Sequence, residues 1–327
     1  MSAHIGAVGA GRMGRGMAIA FAYAGHPVTL LDAKKRDAAD YARLQVDVDA
    51  DLAATLGMMA SLGLLTGDEI AQVRARISLV ALNEAAAQLP AMDVIFEGVP
   101  ETMAAKEEAL KLISAHARKD TIIASTTSTI LSDDLAQYVA RPERFLNAHW
   151  LNPAFLVPLV ELSPCAVTQP DVTEALKALL EAIGKVPVVC TASPGYIVPR
   201  IQMLAMNEAA RLIEEGVASA EDIDKATKYG FGFRFAVLGL LEFIDWGGGD
   251  ILFHASNYMQ GATGQDRFAA PDIIQRNMQN GRTGLREGQG FLSYDDMDVP
   301  AYQRDRLGAF VAMLRHLDKM PVKGGFD

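Results

Sequence analysis

What the chain lacks narrows it first. Two cysteines, Cys165 and Cys190, in 327 residues leave no disulfide framework and fit a reducing compartment. Basic charge is scarce: 30 Lys and Arg stand against 40 Asp and Glu, a formal net charge of −10. A nucleic-acid partner would want the opposite balance, with cations clustered among aromatics, and no such cluster occurs. The six histidines are scattered, none at ligand spacing from another His or Cys, so no metal site is expected. No apolar run has the placement of a signal peptide or reaches transmembrane length without charges. The reading is a soluble, cytoplasmic protein with no membrane partner.

What is present is half hydrophobic, 50% of the residues, enough for a sizeable core, and the length suggests two domains. The opening, 5-IGAVGAGRMGRGMAIAFAYAGHPVTLLDAKK-35, runs a short apolar strand into Gly9, Gly11 and Gly14, with Arg12 and Met13 between the last two. A helical pattern follows, Gly25 stops it, and a second strand ends in Asp32. Strand, G-x-G-x-x-G, helix, strand and acid is the order of a dinucleotide site. Gly9 allows the tight turn, Gly11 lets backbone approach a pyrophosphate, and Gly14 lets helix and strand pack closely. The helix N-terminus offers free N–H groups to the phosphates. Asp32 would accept the adenine ribose hydroxyls and repel a 2′-phosphate, which favours NAD; Lys34, Lys35 and Arg36 leave a small opening for the phosphate.

Downstream, residues 37–90 read as helical. The strand 93-DVIFEGVPE-101 carries Glu97 and Glu101 near the nicotinamide ribose; one of them is expected to contact it, or else they form a solvated strand end. A helix over 102–117, a strand at 121-TIIASTT-127, a helix over 131–139 and a strand from Phe145 to Trp150 continue the alternation. Further strands are expected at 157-VPLVEL-162 and 186-VPVVC-190, flanking a helix that Gly184 caps. Such alternation gives an α/β fold, a Rossmann-type, mostly parallel, doubly wound sheet. After 193-SPG-195 the texture turns helical, so the domains are drawn at 1–192 for the nucleotide and 193–327 for a mainly α-helical C-terminal domain. The segment 280-NGRTGLREGQGF-291 reads as a surface loop before a last amphipathic helix.

Ligands sit at the carboxyl ends of the strands in such a sheet. Three polar groups gather there: 125-STTS-128, His149 and Glu161. A carboxylate beside a histidine fixes its tautomer and stabilises the imidazolium, which suits a general base. Beside a nicotinamide, His149 would take an alcohol proton while hydride leaves the carbon, with Ser128 on the substrate oxygen. Asn152, in the Asn-Pro step after the strand, either starts a turn or lines the site.

The glycine loop, 125-STTS-128, 148-AHWLNP-153, 159-LVEL-162 and 194-PGYIVPR-200 resemble the 3-hydroxyacyl-CoA dehydrogenase family, in order from Ile5 to about Tyr294. The resemblance implies an NAD-binding first domain, and a helical second domain that completes the substrate cleft and forms a homodimer. It implies His149 as catalytic base, Glu161 as its partner and Ser128 as a substrate contact, in oxidation of a 3-hydroxyacyl-CoA of the 3-hydroxybutyryl-CoA kind, as in fatty acid metabolism. Two positions depart. In the family's P-G-F-x-x-N-R stretch an Asn contacts substrate and positions the histidine; here Pro199 stands in its place, with Gln202 and Asn207 as candidate replacements. Thr126 replaces the usual Asn of S-N-T-S.

A rival reading comes from 232-GFRFAVLG-239, which resembles the carnitine and gulonate dehydrogenase branch of the family. There the substrate is a free hydroxy acid, and Arg234 would clamp a carboxylate through two parallel hydrogen bonds or else form an ordinary surface ion pair. From Asp37 to Glu101 the only basic residues are Arg43, Arg74 and Arg76, poor support for the 3′-phosphate of coenzyme A. A third reading is a weakly active, crystallin-like NAD-binding protein, which intact His149, Glu161 and Ser128 oppose.

Overall fold

A computed structural model describes residues 2–322 and 324. Its contacts divide the chain into two compact units, Met1–Met206 and Asn207–Asp327. The first unit is built on β1 (Ile5–Val8), β2 (Val28–Leu31), β3 (Ile77–Val80), β4 (Val94–Glu97), β5 (Ile122–Ser125), β6 (Phe145–Trp150), β7 (Leu159–Pro164) and β8 (Val186–Val189). These form one sheet in the order β3-β2-β1-β4-β5-β6-β7-β8. Strand order reverses between β1 and β4, the switch point outside which ligands sit in open α/β sheets.

β1, β2, β4, β5 and β6 are buried along their whole length. Near-continuous Val, Ile and Leu is what a strand covered by helices on both faces requires. On one face Phe21, Phe96 and Trp150 meet edge-on or tilted, with ring centroids 5.5–5.8 Å apart. On the other, Leu110, Ile113, Leu135 and Phe145 pack together. The helix Arg12–Tyr23 buries six residues in succession, Met17 through Ala22, because it lies between the sheet and the long helix Ala38–Ser61.

β3 departs from the helical reading of residues 37–90. Helices occupy Ala38–Ser61 and Gly67–Ala75, but 77-ISLV-80 pairs in parallel with β2. Four residues at a sheet edge are too short for periodicity to declare a strand; hydrogen bonds to β2 make it one.

The sheet is mostly parallel, but β7 runs antiparallel to β6, placing His149 opposite Glu161 and Trp150 opposite Val160. β8 runs parallel to β7. β6 and β7 therefore form an antiparallel pair whose connection lies at the carboxyl edge.

The second unit is helical, with Ala220–Ala226, Leu240–Gly247, Gly249–Thr263, Asp272–Gln279 and Val299–His316 as its main elements. Its glycine-rich segment is a loop, but a pinned one. The buried carboxylate of Asp245 accepts the N–H groups of Phe291 and Leu292, both at 2.8 Å, and the Tyr294 hydroxyl at 3.2 Å. A Cβ on Gly290 would lie 2.1 Å from Asp245 Oδ1, so no larger residue fits. Among the described residues, no helix is long and apolar enough to cross a membrane, and no group of three or more His, Cys, Asp or Glu could hold a metal.

Candidate active site

The β1 turn builds the first half of the site. Gly9 has φ +115, and a Cβ there would lie 2.6 Å from the Gly98 carbonyl oxygen. A Cβ on Gly14 would lie 2.1 Å from Gly9 O and 3.1 Å from Leu30, so helix and strand approach as the glycine spacing implies. Gly11 is different: a Cβ there meets nothing within 4 Å, and no side chain caps the helix that starts after it. Arg12 is exposed and Met13 partly so, packed against the core below. An open glycine at a free helix N-terminus fits a pyrophosphate. A cavity of about 390 Å³ lies here, lined by Gly9, Gly11, Asp32, Lys34, Arg36 and Val99 among others.

Asp32 follows β2 at this cavity, 4% exposed. It is already paired: Arg36 Nε lies 2.6 Å from Oδ2, and the Lys34 amide donates to Oδ1 at 3.3 Å. The acid that would read the ribose and the cations after it thus share one wall.

Glu97 does not sit where the sequence suggests. Its carboxylate is fully buried at the end of β4, bonded to Lys106 Nζ at 3.1 and 3.2 Å, to Ser125 Oγ at 2.5 Å and to the Val99 amide at 2.8 Å. With no surface exposed it offers a ligand nothing. A burial cost that large is tolerable only because Lys106, also fully buried, supplies the opposite charge. Glu101 is available instead. It caps the turn after β5, accepting the Ser128 and Thr129 amides at 2.9 and 3.1 Å and the hydroxyls of Thr127 and Thr129. Burial would raise its pKa, but the Thr127 hydrogen bond, the Lys106 charge and the Thr129 and Ser128 bonds outweigh it and hold the carboxyl below its ordinary range.

That turn presents Ser128 exposed to solvent. One strand over, His149 is 4% exposed, and its Nδ1 lies 2.8 Å from Glu161 Oε2. Glu161 is fully buried, and its second oxygen accepts the amides of Ile197 and Val198 at 2.9 and 2.8 Å. Burial alone would raise its pKa; the bonds from His149, Val198 and Ile197 prevail and keep it ionised below its ordinary value. An ionised Glu161 can only accept, so Nδ1 carries a proton; in the neutral imidazole Nε2 then keeps its lone pair. Among the described residues of that unit, Nε2 has no hydrogen-bond partner.

Glu161 is not at the end of a parallel strand, as the sequence alone suggests. It is the third residue of β7, brought to the carboxyl edge by antiparallel register. In sheet order the edge carries Asp32, Gly9, Glu101, Ser128, His149 and Glu161. From β2 to β6 that is four strand spacings, about 19 Å, room for an extended dinucleotide with its reacting end toward His149.

Asn152 is exposed just beyond β6, and its bond to Pro153 is cis. The connection it opens is held by Lys185, whose Nζ donates to Ala154 O at 2.6 Å and Val157 O at 2.8 Å. Arg234 belongs to the second unit. It is exposed, its Nε donates to Gly230 O at 3.0 Å, and its guanidinium sits 4.9 Å from the Phe243 ring centre. No carboxylate among the described residues of its unit pairs with it, so the surface ion pair is not what this residue makes there. Pro199 is the second residue of the helix Val198–Glu214, a first-turn position where a missing N–H costs little. Gln202 and Asn207 are exposed on that helix. Lys106, Asn147 and Tyr196, which the motifs do not single out, complete the network.

Two family models match this chain in order. The 3-hydroxyacyl-CoA dehydrogenase NAD binding domain covers residues 4–193, and the C-terminal domain of the same enzymes covers 195–294. Among curated relatives, the 5-formyl-3-hydroxy-2-methylpyridine 4-carboxylate 5-dehydrogenase of Mesorhizobium japonicum is 28% identical over 97% of this chain and 99% of its own. The 3-hydroxybutyryl-CoA dehydrogenase of Clostridioides difficile is 29% identical over 88% of this chain and 98% of its own. The crystal structure of a 3-hydroxyacyl-CoA dehydrogenase from Archaeoglobus fulgidus superposes with a TM-score of 0.76 at 27% identity, covering 97% of this chain and all of that one (100%). With both domains matched across most of its length, the chain belongs to the 3-hydroxyacyl-CoA dehydrogenase family, NAD-dependent oxidoreductases acting on CH–OH groups.

Proposed function

We propose that the protein oxidises a short-chain 3-hydroxyacyl-CoA, of the 3-hydroxybutyryl-CoA type, to the 3-ketoacyl-CoA with His149 as general base, a step of fatty acid metabolism. The His149–Glu161 pair beside the dinucleotide edge carries this reading. His149 Nε2 takes the 3-hydroxyl proton, ionised Glu161 stabilises the imidazolium through Nδ1, and Ser128 and Asn152 hold the substrate. Gly9, Gly11, Arg12, Met13, Gly14, Asp32 and Glu101 hold NAD. When bound, NAD supplies the hydride acceptor.

A second reading, a free hydroxy carboxylate, has its own support. All three basic residues between Asp37 and Glu101 are engaged: Arg43 pairs with Asp40, Arg74 with Asp49, and Arg76 donates to Ala22 O at 3.0 Å. A 3′-phosphate would have to compete with these partners. The relative from M. japonicum is named for a substrate that is itself a carboxylate, and Arg234 is the side chain suited to clamp one.

The homodimer belongs to the same proposal. Only Leu238, Ile274, Leu285 and Tyr294 are buried apolar side chains among the described residues of the second unit, too few for a self-sufficient core. Met203, Leu204, Met206 and Ile213 on the helix Val198–Glu214 are exposed, a surface a second copy would cover.

The deciding experiment follows NADH absorbance with two sets of substrates. Acetoacetyl-CoA with NADH and 3-hydroxybutyryl-CoA with NAD form one; free carnitine, gulonate and 3-hydroxybutyrate with NAD form the other. Turnover confined to the first supports the acyl-CoA reading; turnover confined to the second replaces it.

A further inference from the structure

The aromatic at position 196 carries more than the proposed reaction assigns to it. Tyr196 is 6% exposed, and its ring lies parallel to the His149 imidazole, with centroids 5.1 Å apart and planes 9° from each other. Its hydroxyl donates to the Thr127 carbonyl at 3.0 Å and accepts from Asn147 Nδ2 at 3.0 Å. Asn147 is itself anchored, donating also to Ile130 O at 2.9 Å. Burial raises the phenol pKa well above its ordinary value, so the group stays a donor.

The backbone here is strained. Tyr196 has φ +45 and follows Gly195 at φ +75. An aromatic residue in the left-handed region is strained, and such strain persists where surroundings over-determine it. This turn aims the next two amides, of Ile197 and Val198, at Glu161. One residue therefore touches three parts of the site at once: the turn bearing Ser128, the plane of His149, and the anchorage of Glu161.

From this geometry we infer that Tyr196 is a positioning residue, which fixes the His149 imidazole plane by stacking and the Ser128 turn by its hydroxyl. The inference rests on His149 as base and Ser128 as substrate contact.

The two halves of Tyr196 separate by mutation. Tyr196→Phe keeps the stack and the backbone but releases Thr127 O and Asn147. KM for the hydroxy substrate should rise about fivefold, the worth of a neutral hydrogen bond, with kcat nearly unchanged. Tyr196→Leu removes the stack as well, and kcat should fall roughly 100-fold, as for a catalytic group misplaced by about 1 Å. NAD affinity, read by NADH fluorescence, should stay at wild type in both variants. Tyr196→Trp, which restores a stacking ring, should recover most of the lost kcat. His149→Ala run alongside distinguishes two failures. If His149→Ala retains turnover, the base assignment falls. If it abolishes turnover but Tyr196→Leu keeps kcat within threefold, the positioning role alone falls. A Tyr196→Leu protein that loses NAD affinity along with kcat has lost its fold, and its kcat is then not read as positioning. Should that variant not fold, Tyr196→Phe decides: an unchanged KM removes the hydroxyl's role, and with it the inference.

Discussion

Two glycines three residues apart, Gly11 and Gly14, should respond differently to one added methyl. Gly14→Ala drives a Cβ to 2.1 Å from Gly9 O, and backbone cannot step aside as a side chain can. Overpacking of this kind costs about 1–3 kcal/mol or more, so urea denaturation should show a large loss. Gly11→Ala has φ −83 and open space around it, so its stability should fall by less than about 1 kcal/mol. Its methyl would occupy the phosphate cradle instead, and NAD affinity should drop roughly tenfold or more. Equal NAD affinity in Gly11→Ala would mean that the pyrophosphate lies elsewhere. Asp32 adds a test of coenzyme choice. Asp32→Ala removes the ribose acceptor and leaves Arg36 without the partner it holds at 2.6 Å. NAD should weaken by about tenfold or more while NADP gains, so the ratio of the two dissociation constants narrows. An unchanged ratio would show that another group reads the ribose. Glu161 sets a pH dependence. Its folded pKa lies below the ordinary 4.5, so its stabilisation is complete above about that pH and is lost as pH falls through the lower folded value. Glu101 acts in the same sense. Glu161→Gln should therefore flatten part of the acid limb of stability below about pH 4.5; an acid limb identical to wild type would contradict this.

At the scale of elements, the buried pair Glu97–Lys106 ties the helix Met103–His116 to β4 and β5. Lys106→Met strands a carboxylate with no exposed surface and should cost about 3–5 kcal/mol in denaturant unfolding. Adding Glu97→Gln, whose Oε1 can accept the Val99 amide and whose Nε2 can donate to Ser125 Oγ, should recover much of that loss; a double variant no better than the single would show that charge is not the issue. The same pair marks what the sequence left illegible. The β1–helix–β2 unit was readable because each part, three glycines and a closing acid, has a local reason within 30 residues. Glu97 looked like a ligand contact because its cation sits one helix away, and burial at both ends appears only once that helix docks on the sheet. β3 hid for a related reason, its strand character being lent by β2. His149 and Glu161 were legible as a pair, whereas the antiparallel register that joins them was not. Tyr196 escaped notice because its partners lie 49 and 69 residues back in the chain.

For the whole molecule, binding and assembly give the two clearest readouts. A ligand that binds only the folded state stabilises it by about 2.7 kcal/mol at 100 times its dissociation constant, so NAD at that excess should raise the melting temperature of the wild type. Gly11→Ala at the same concentration should gain much less. In sedimentation, the proposed homodimer should give twice the 35.1 kDa of the chain, and replacing exposed Leu204 and Met206 with charged residues should shift it toward monomer. A wild-type protein of single-chain mass at micromolar concentration would refute the dimer.

Antiparallel pairing of β6 with β7 has a consequence for how this site tolerates editing. Side chains alternate along a strand, so a one-residue insertion within Leu159–Glu161 would swing Glu161 to the opposite face of the sheet. The same insertion between residues 151 and 158 leaves both strands in register, and what would have to readjust is the bonds from Lys185 and the packing of buried Ala154. Loop length there is thus a free variable that the acid–base pair does not feel. Segments exchanged between relatives at that junction could reshape the substrate mouth while His149 and Glu161 stay face to face.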